Sequence, residues 1–186
     1  MPTVLIPLAK GFEELEAVTL IDILRRANIT VVTASLSDNT LVTARHGVRL
    51  VADTSLETVI YDDFDIIILP GGQPGTDTLN QDPHIHAVLK RLYQSGKAVA
   101  AICAAPMVLA HAGLLDGKVA TCFPSVLMPA EWPNITLSTE SVVIDGRVIT
   151  SKGPGTALDF ALSIVEYLKD SHTRNAVEAS LVGSTQ

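Results

Sequence analysis

Aromatic residues are scarce in this chain: one Trp, three Tyr and four Phe stand among 186 residues. A chain of this length can bury a sizeable core without disulfides. Val, Ile, Leu and Ala must therefore fill that core, a palette that suits parallel strands covered on both faces. Charge is also sparse, at 18% of residues against 47% hydrophobic, which excludes a disordered chain. Cations are the minority, 13 Lys and Arg against 20 Asp and Glu, for a formal net charge of −7. With no basic stripe, binding to a nucleic-acid backbone is not expected. No apolar run approaches the ~18 residues of a membrane span, and there is no polybasic or strongly amphipathic anchor. The opening MPTVLIPLAKGFEELE has an apolar stretch of about six residues with no cationic segment before it, unlike a signal peptide. Two cysteines far apart in the sequence make no disulfide framework. No repeat, low-complexity tract or linker interrupts the chain. The expectation is one cytoplasmic domain over residues 1–186.

What is present is an alternation. Apolar runs that read as buried strands lie at 3–8, 29–34, 65–69 and 98–102, with a weaker one at 118–122. Helical patterns lie at 13–27, 83–95 and 104–112. Strands alternating with helices of this length predict βαβ units and a parallel sheet. Residues 41–52 read as a small extended, antiparallel excursion. In 141–150, Asp145-Gly146 suits a two-residue type I′ hairpin turn. Helices are predicted at 156–169 and 173–182. The fold these elements predict is α/β, a flavodoxin-like three-layer α/β/α sandwich with a mostly parallel central sheet.

The densest chemical signal is VAAICAAPMVLAHAG. An apolar strand runs into Cys103, followed by Ala104, Ala105 and Pro106, the last suited to the first position of a helix. This is the logic of a nucleophile elbow with sulfur in place of oxygen. A cysteine there faces unpaired N–H groups and the positive end of a helix, which favours a thiolate with a depressed pKa. The competing view is a buried structural cysteine. Upstream, Glu13 and Glu14 read as solvated charges at a helix start. Glu16 differs, because helical spacing puts it in a stripe with Phe12, Leu20 and Ile23. Buried there, it would be protonated and able to donate a hydrogen bond or move protons; rotated outward, it would be an ordinary surface acid. The stretch LPGGQPGT lacks the residues of a P-loop and does not fit the dinucleotide pattern. It either brings backbone N–H groups to an oxyanion or is simply a tight turn. GPGT at 153–156 reads as architectural.

The histidines supply no dyad. His111 lies too far along its helix to reach Cys103, and His84 and His86 face different directions. His46 and His172 have no partner visible in the sequence. Cys122 reads as a packed core thiol, and no metal site is predicted.

Taken together, LAKGFEELEAVTLIDILRRA, DIIILPGG, AAICAAP and TSKGPGTALDFALSIVE resemble the motifs of the ThiJ/PfpI superfamily, in the same order and across about residues 3–182. The resemblance is specifically to its YajL-like branch, which includes the parkinsonism-associated deglycase. It implies that Cys103 is an oxidation-sensitive nucleophile and that Glu16 is a protonated glutamate hydrogen-bonded to its sulfur. Gly72 and Ala104 would supply N–H groups to an oxyanion-type pocket. It further implies a homodimer, with Leu15, Arg26, Arg45 and Pro154 near the interface. The implied activity is conversion of methylglyoxal to lactate and repair of early glycation adducts, without a cofactor, alongside chaperone and oxidative-stress roles. Two departures stand out. Ala104 replaces the histidine that follows the cysteine in peptidase members, and Phe123 stands where the deglycase relative carries a histidine. The alternatives are a redox-sensing or chaperone dimer using Cys103 oxidation, and an amidase or peptidase that would need an imidazole near Cys103.

Overall fold

Four strands with almost no polar interruption form the centre of the molecule: β1 (Thr3–Leu8), β6 (Ile66–Leu69), β7 (Ala98–Ile102) and β11 (Val148–Ser151). Around them the chain adds β2 (Thr30–Ser35), β3 (Leu41–Thr43), β4 (Arg49–Val51), β5 (Thr54–Ser55), β8 (Val119–Ala120), β9 (Thr136–Leu137) and β10 (Val142–Asp145). The helices are α1 (Glu14–Arg26), α2 (Leu56–Val59), α3 (Gly75–Gln81), α4 (Pro83–Gln94), α5 (Pro106–His111), α6 (Ala157–Leu168) and α7 (Ser171–Ser180). This computed structural model describes residues 1–182; residues 183–186 of the expected domain lie outside the described part.

The main sheet has seven strands in the order β10-β11-β7-β6-β1-β2-β5. Every neighbouring pair is parallel except the β10–β11 hairpin. Side chains alternate across it, as the pleat requires. Val4, Ile6 and Leu8 pack with Leu20 of α1 and Phe160 of α6, while Leu5 packs with Leu89 of α4 and Val108 of α5 on the opposite face. Two apolar layers thus sandwich one sheet, the predicted three-layer α/β/α architecture. Deleting a fully buried Leu or Ile side chain from either layer would cost about 2–5 kcal/mol. No helix among the described residues is long and apolar enough to cross a membrane.

The 41–52 segment forms the antiparallel pair β3–β4. Three local expectations need correction. The 118–122 run does not enter the main sheet; only Val119 and Ala120 are extended, and they pair with β9. The amide of Val119 is taken by the Asp145 carboxylate and that of Thr121 by the Thr150 hydroxyl, so side chains replace the ladder. In the β10–β11 hairpin, Asp145 pairs with Val148, so the turn residues are Gly146 and Arg147, one position later than predicted. Gly146 has φ 64 while Arg147 does not have positive φ, which is the II′ pattern rather than I′. Finally, α3 arises inside a Gly/Pro-rich segment that reads as a turn. The separate helix α4 then starts with Asp82 accepting from the His84 and Ile85 amides, and with Pro83 at its first position.

Candidate active site

The chain runs from β1 outward to β2, then returns to place β6 on the other side of β1. Such a reversal opens a crevice at the carboxyl ends of the strands. The segments following β1, β6 and β7 meet there and bring Glu16 of α1, Gly72 and Cys103 to one point.

Cys103 has φ 65. Outside glycine, positive φ occurs among the described residues only at Asn28, Cys103, Ser125 and Val182. A non-glycine residue held this way costs on the order of 1–3 kcal/mol and persists only where its surroundings fix it. Here the fixing is visible. Cys103 donates its N–H to the Ser151 carbonyl at 3.0 Å, and its own carbonyl accepts from the Phe123 N–H at 2.8 Å. The turn leaves the sulfur facing the backbone N–H groups of Gly72 and Ala104.

Glu16 is fully buried, in an α1 stripe with Phe12, Leu20 and Ile23, all of them buried. Its Oε2 accepts from the Gly71 N–H at 2.7 Å, whereas Oε1 has no hydrogen-bond partner among the described residues. An ionised carboxylate with one bare buried oxygen is costly, and burial pushes Glu16 up to about 7. The Gly71 amide and the Cys103 side chain, within hydrogen-bonding reach, pull the other way, and nearby Glu13 adds to the rise. Gly71 must be glycine: a Cβ there would sit 2.6 Å from Cys103 Cβ and 2.9 Å from Glu16 Oε2.

The thiol departs from the value expected of a helix start. Burial first, and then the neighbouring Glu16 carboxylate, push Cys103 up to about 12, against the opposing pull of the Ala104 and Gly72 amides. The helix that was to depress it, α5, has only six residues, and the sulfur is drawn into the core instead. Cys103 and Glu16 therefore titrate as a pair. The pair gives up its first proton near pH 7 and holds the second until about 12. Between those values Glu16 is ionised and Cys103 remains a thiol, with the carboxylate within hydrogen-bonding reach of it.

The surroundings revise other expectations. Glu13 is not solvated but only 8% exposed, and it lies 3.6 Å from His46. Glu14 takes the His46 amide at 2.9 Å and its ring nitrogen at 3.2 Å. The donor atoms of Glu13, Glu14 and His46 lie within 4.8 Å of one another, the one grouping among the described residues able to offer three ligands to a metal ion. The other histidines are engaged elsewhere: His84 near Asp82, His86 on the Asn80 carbonyl, and His111 on the Met107 carbonyl with its ring edge-on to Trp132. No imidazole is among the groups acting on Cys103 among the described residues. Cys122 is a free, half-buried thiol in the opposite apolar layer, raised by burial and touched by the Leu127 amide.

Two neighbours escaped sequence reasoning. Gly153 faces the sulfur: a Cβ on it would sit 3.9 Å from Cys103 Sγ and 3.3 Å from Phe123 Cδ2. Ser151 holds the Cys103 amide. The only available signal was the GPGT turn, whose role beside the thiol depends on β11 lying next to β7.

A strained cysteine elbow within hydrogen-bonding reach of a buried glutamate, at the switch point of a parallel sheet, places the chain among α/β proteins organised around a single thiol. Residues 2–167 match the DJ-1/PfpI family, and the chain belongs to it. DJ-1 homolog A of Arabidopsis thaliana is 40% identical over 181 residues, covering 97% of this chain and 46% of the relative. The chain thus spans about half the length of that plant protein. The glutathione-independent glyoxalase DJR-1.2 of Caenorhabditis elegans is 41% identical, covering 89% of this chain and 87% of the relative. The crystal structure of Drosophila melanogaster DJ-1beta superimposes with a TM-score of 0.93 at 38% identity, covering 99% of each chain.

Proposed function

We propose that the chain is a cofactor-independent glyoxalase and deglycase that acts on methylglyoxal and early glycation adducts through Cys103. The observation that carries this is the buried Glu16 carboxyl within hydrogen-bonding reach of Cys103, beside the Gly72 and Ala104 amides. A carboxylate within hydrogen-bonding reach of a thiol can take its proton as the sulfur attacks. The sulfur adds to the aldehyde carbon, forming a hemithioacetal whose oxyanion the two amides stabilise and Glu16 protonates. Glu16 then removes the hydrogen on that carbon and returns it to the adjacent carbon, while the hydroxyl proton of the first carbon's oxygen passes to the oxygen of the second. The first carbon is thereby oxidised to a thioester and the second reduced to an alcohol, with no external oxidant. Water cleaves the carbon–sulfur bond, releasing lactate and restoring the thiol. Early adducts on amines and thiols that release free aldehyde feed the same site.

A homodimer accompanies this proposal. Leu15, Val18 and Leu158 are 52%, 45% and 43% exposed, and Val18 and Leu158 line one groove of about 400 Å³ between α1 and α6. Apolar side chains so placed suit a self-complementary interface. The protein would work in the cytoplasm, with oxidative-stress protection as its setting.

The second reading is a redox sensor or chaperone in which oxidation of the Cys103 sulfur, held beside two amides and a carboxyl, is the signal. Lactate formation from methylglyoxal decides between them. Many turnovers per chain, abolished in Cys103→Ala, are expected. One adduct per thiol with no lactate would overturn the enzymatic reading.

A further inference from the structure

We infer that Phe123 and Gly153 form an apolar subsite beside Cys103 that receives the substituent of the substrate carbonyl, so that the preferred substrates are 2-oxoaldehydes bearing a flat apolar group. The inference rests on the proposed aldehyde chemistry for its substrate class. Single exposed apolar side chains are ordinary on protein surfaces; Phe123 is distinguished by how it is held.

Its N–H donates to the carbonyl of Cys103 itself at 2.8 Å, so the backbone that carries the ring is fixed to the backbone that carries the sulfur. Its own carbonyl accepts from the Val126 N–H at 3.1 Å, closing a turn around Ser125, which has φ 69. Phe123 is 48% exposed, so part of the residue packs and the rest is open. The packed edge lies over Gly153, and the space a Cβ would fill there touches both ring and sulfur. Glycine at that position keeps the volume between them free for a bound group. None of the charged groups acting on the Cys103 sulfur comes from this side; the carboxylate approaches from α1. A substituent on the carbon under attack therefore meets an aromatic edge on one side, while the oxygen meets amides on the other. Aromatic contacts add modest but measurable selectivity, about three- to tenfold when one ring is lost.

The experiment compares kcat/KM for phenylglyoxal and methylglyoxal in wild type, Phe123→Ala and Phe123→Tyr, with circular dichroism to confirm folding. The phenylglyoxal-to-methylglyoxal ratio should fall about three- to tenfold in Phe123→Ala and hold in Phe123→Tyr. An unchanged ratio in Phe123→Ala overturns the subsite. If wild type turns over neither aldehyde, the proposed activity fails, and the subsite is read from Cys103 alkylation instead. N-phenylmaleimide should then outpace N-methylmaleimide by a ratio that drops in Phe123→Ala, and equal ratios in the two proteins would overturn it.

Discussion

Gly71 donates its amide to Glu16 Oε2 at 2.7 Å, and the same glycine leaves no room for a side chain between Glu16 and Cys103. One residue thus orients the carboxylate and sets its spacing from the sulfur. Gly71→Ala should destabilise the fold by about 1–3 kcal/mol through overpacking. It should also slow Cys103 alkylation, because the pair is forced apart. Chemical denaturation and thiol labelling check the two effects. A variant with unchanged stability and labelling rate would show that the Cβ is accommodated without disturbing the site.

The alkylation rate of Cys103 should rise with a midpoint near pH 7, where the pair loses its first proton. Below that value Glu16 is protonated and cannot take the thiol proton; above it, the carboxylate accepts that proton as the sulfur attacks. Glu16→Gln removes the exchange partner and leaves a buried thiol. Its midpoint should move upward, beyond about 8.5, the ordinary thiol value. A midpoint that stays near 7 in Glu16→Gln would assign the first proton elsewhere.

Stability should depend on pH through the same carboxyl. The folded chain holds the Glu16 proton between about pH 4.5 and 7, where the unfolded chain has released it. Stability from this group is complete below the unfolded value and is lost as pH climbs through the folded one, by about 3 kcal/mol in all. Glu16→Gln should melt higher than wild type at pH 8, with the gap closing toward pH 4.5. Parallel melting curves across that range would contradict the burial argument.

Peroxide should oxidise Cys103 before Cys122. The sulfur of Cys103 has two amide donors and a proton acceptor, whereas Cys122 has burial and the Leu127 amide alone. Successive addition of two oxygens to Cys103, shown by peptide mass mapping, is the expected product. Glu16→Gln should change how readily the second oxygen adds, because a protonated carboxyl can donate to a sulfinate oxygen. Equal modification at Cys122 would remove the basis for this selectivity.

Much of the frame was legible because β1, β6 and β7 are buried on both faces and read as unbroken apolar runs. Glu16 was legible too, since a carboxylate in a stripe with Phe12, Leu20 and Ile23 is a local pattern. Helix α3 was not, because Gly75 and the preceding Pro74 carry the composition of a turn while tertiary packing makes them a helix start. The direction of the Cys103 pKa was hidden for a different reason. Its largest cause is burial, and the next is Glu16, which only the fold brings to the sulfur. Glu13 misled in the same way: a helix-start acid is solvated unless another segment covers it, and here His46 lies against it.

The segment that presents Glu16 is tied to the rest of the chain on two sides. Gly11 donates to the Thr43 carbonyl, Glu13 to the Gly71 carbonyl, and Phe12 accepts from the Arg45 amide. Active-site loops are commonly the mobile parts of a domain. This one is laced into its neighbours by main-chain bonds that need no bound molecule to form. The entropy lost in fixing Glu16 against Cys103 is therefore charged to folding, and an arriving aldehyde meets a carboxylate already aimed.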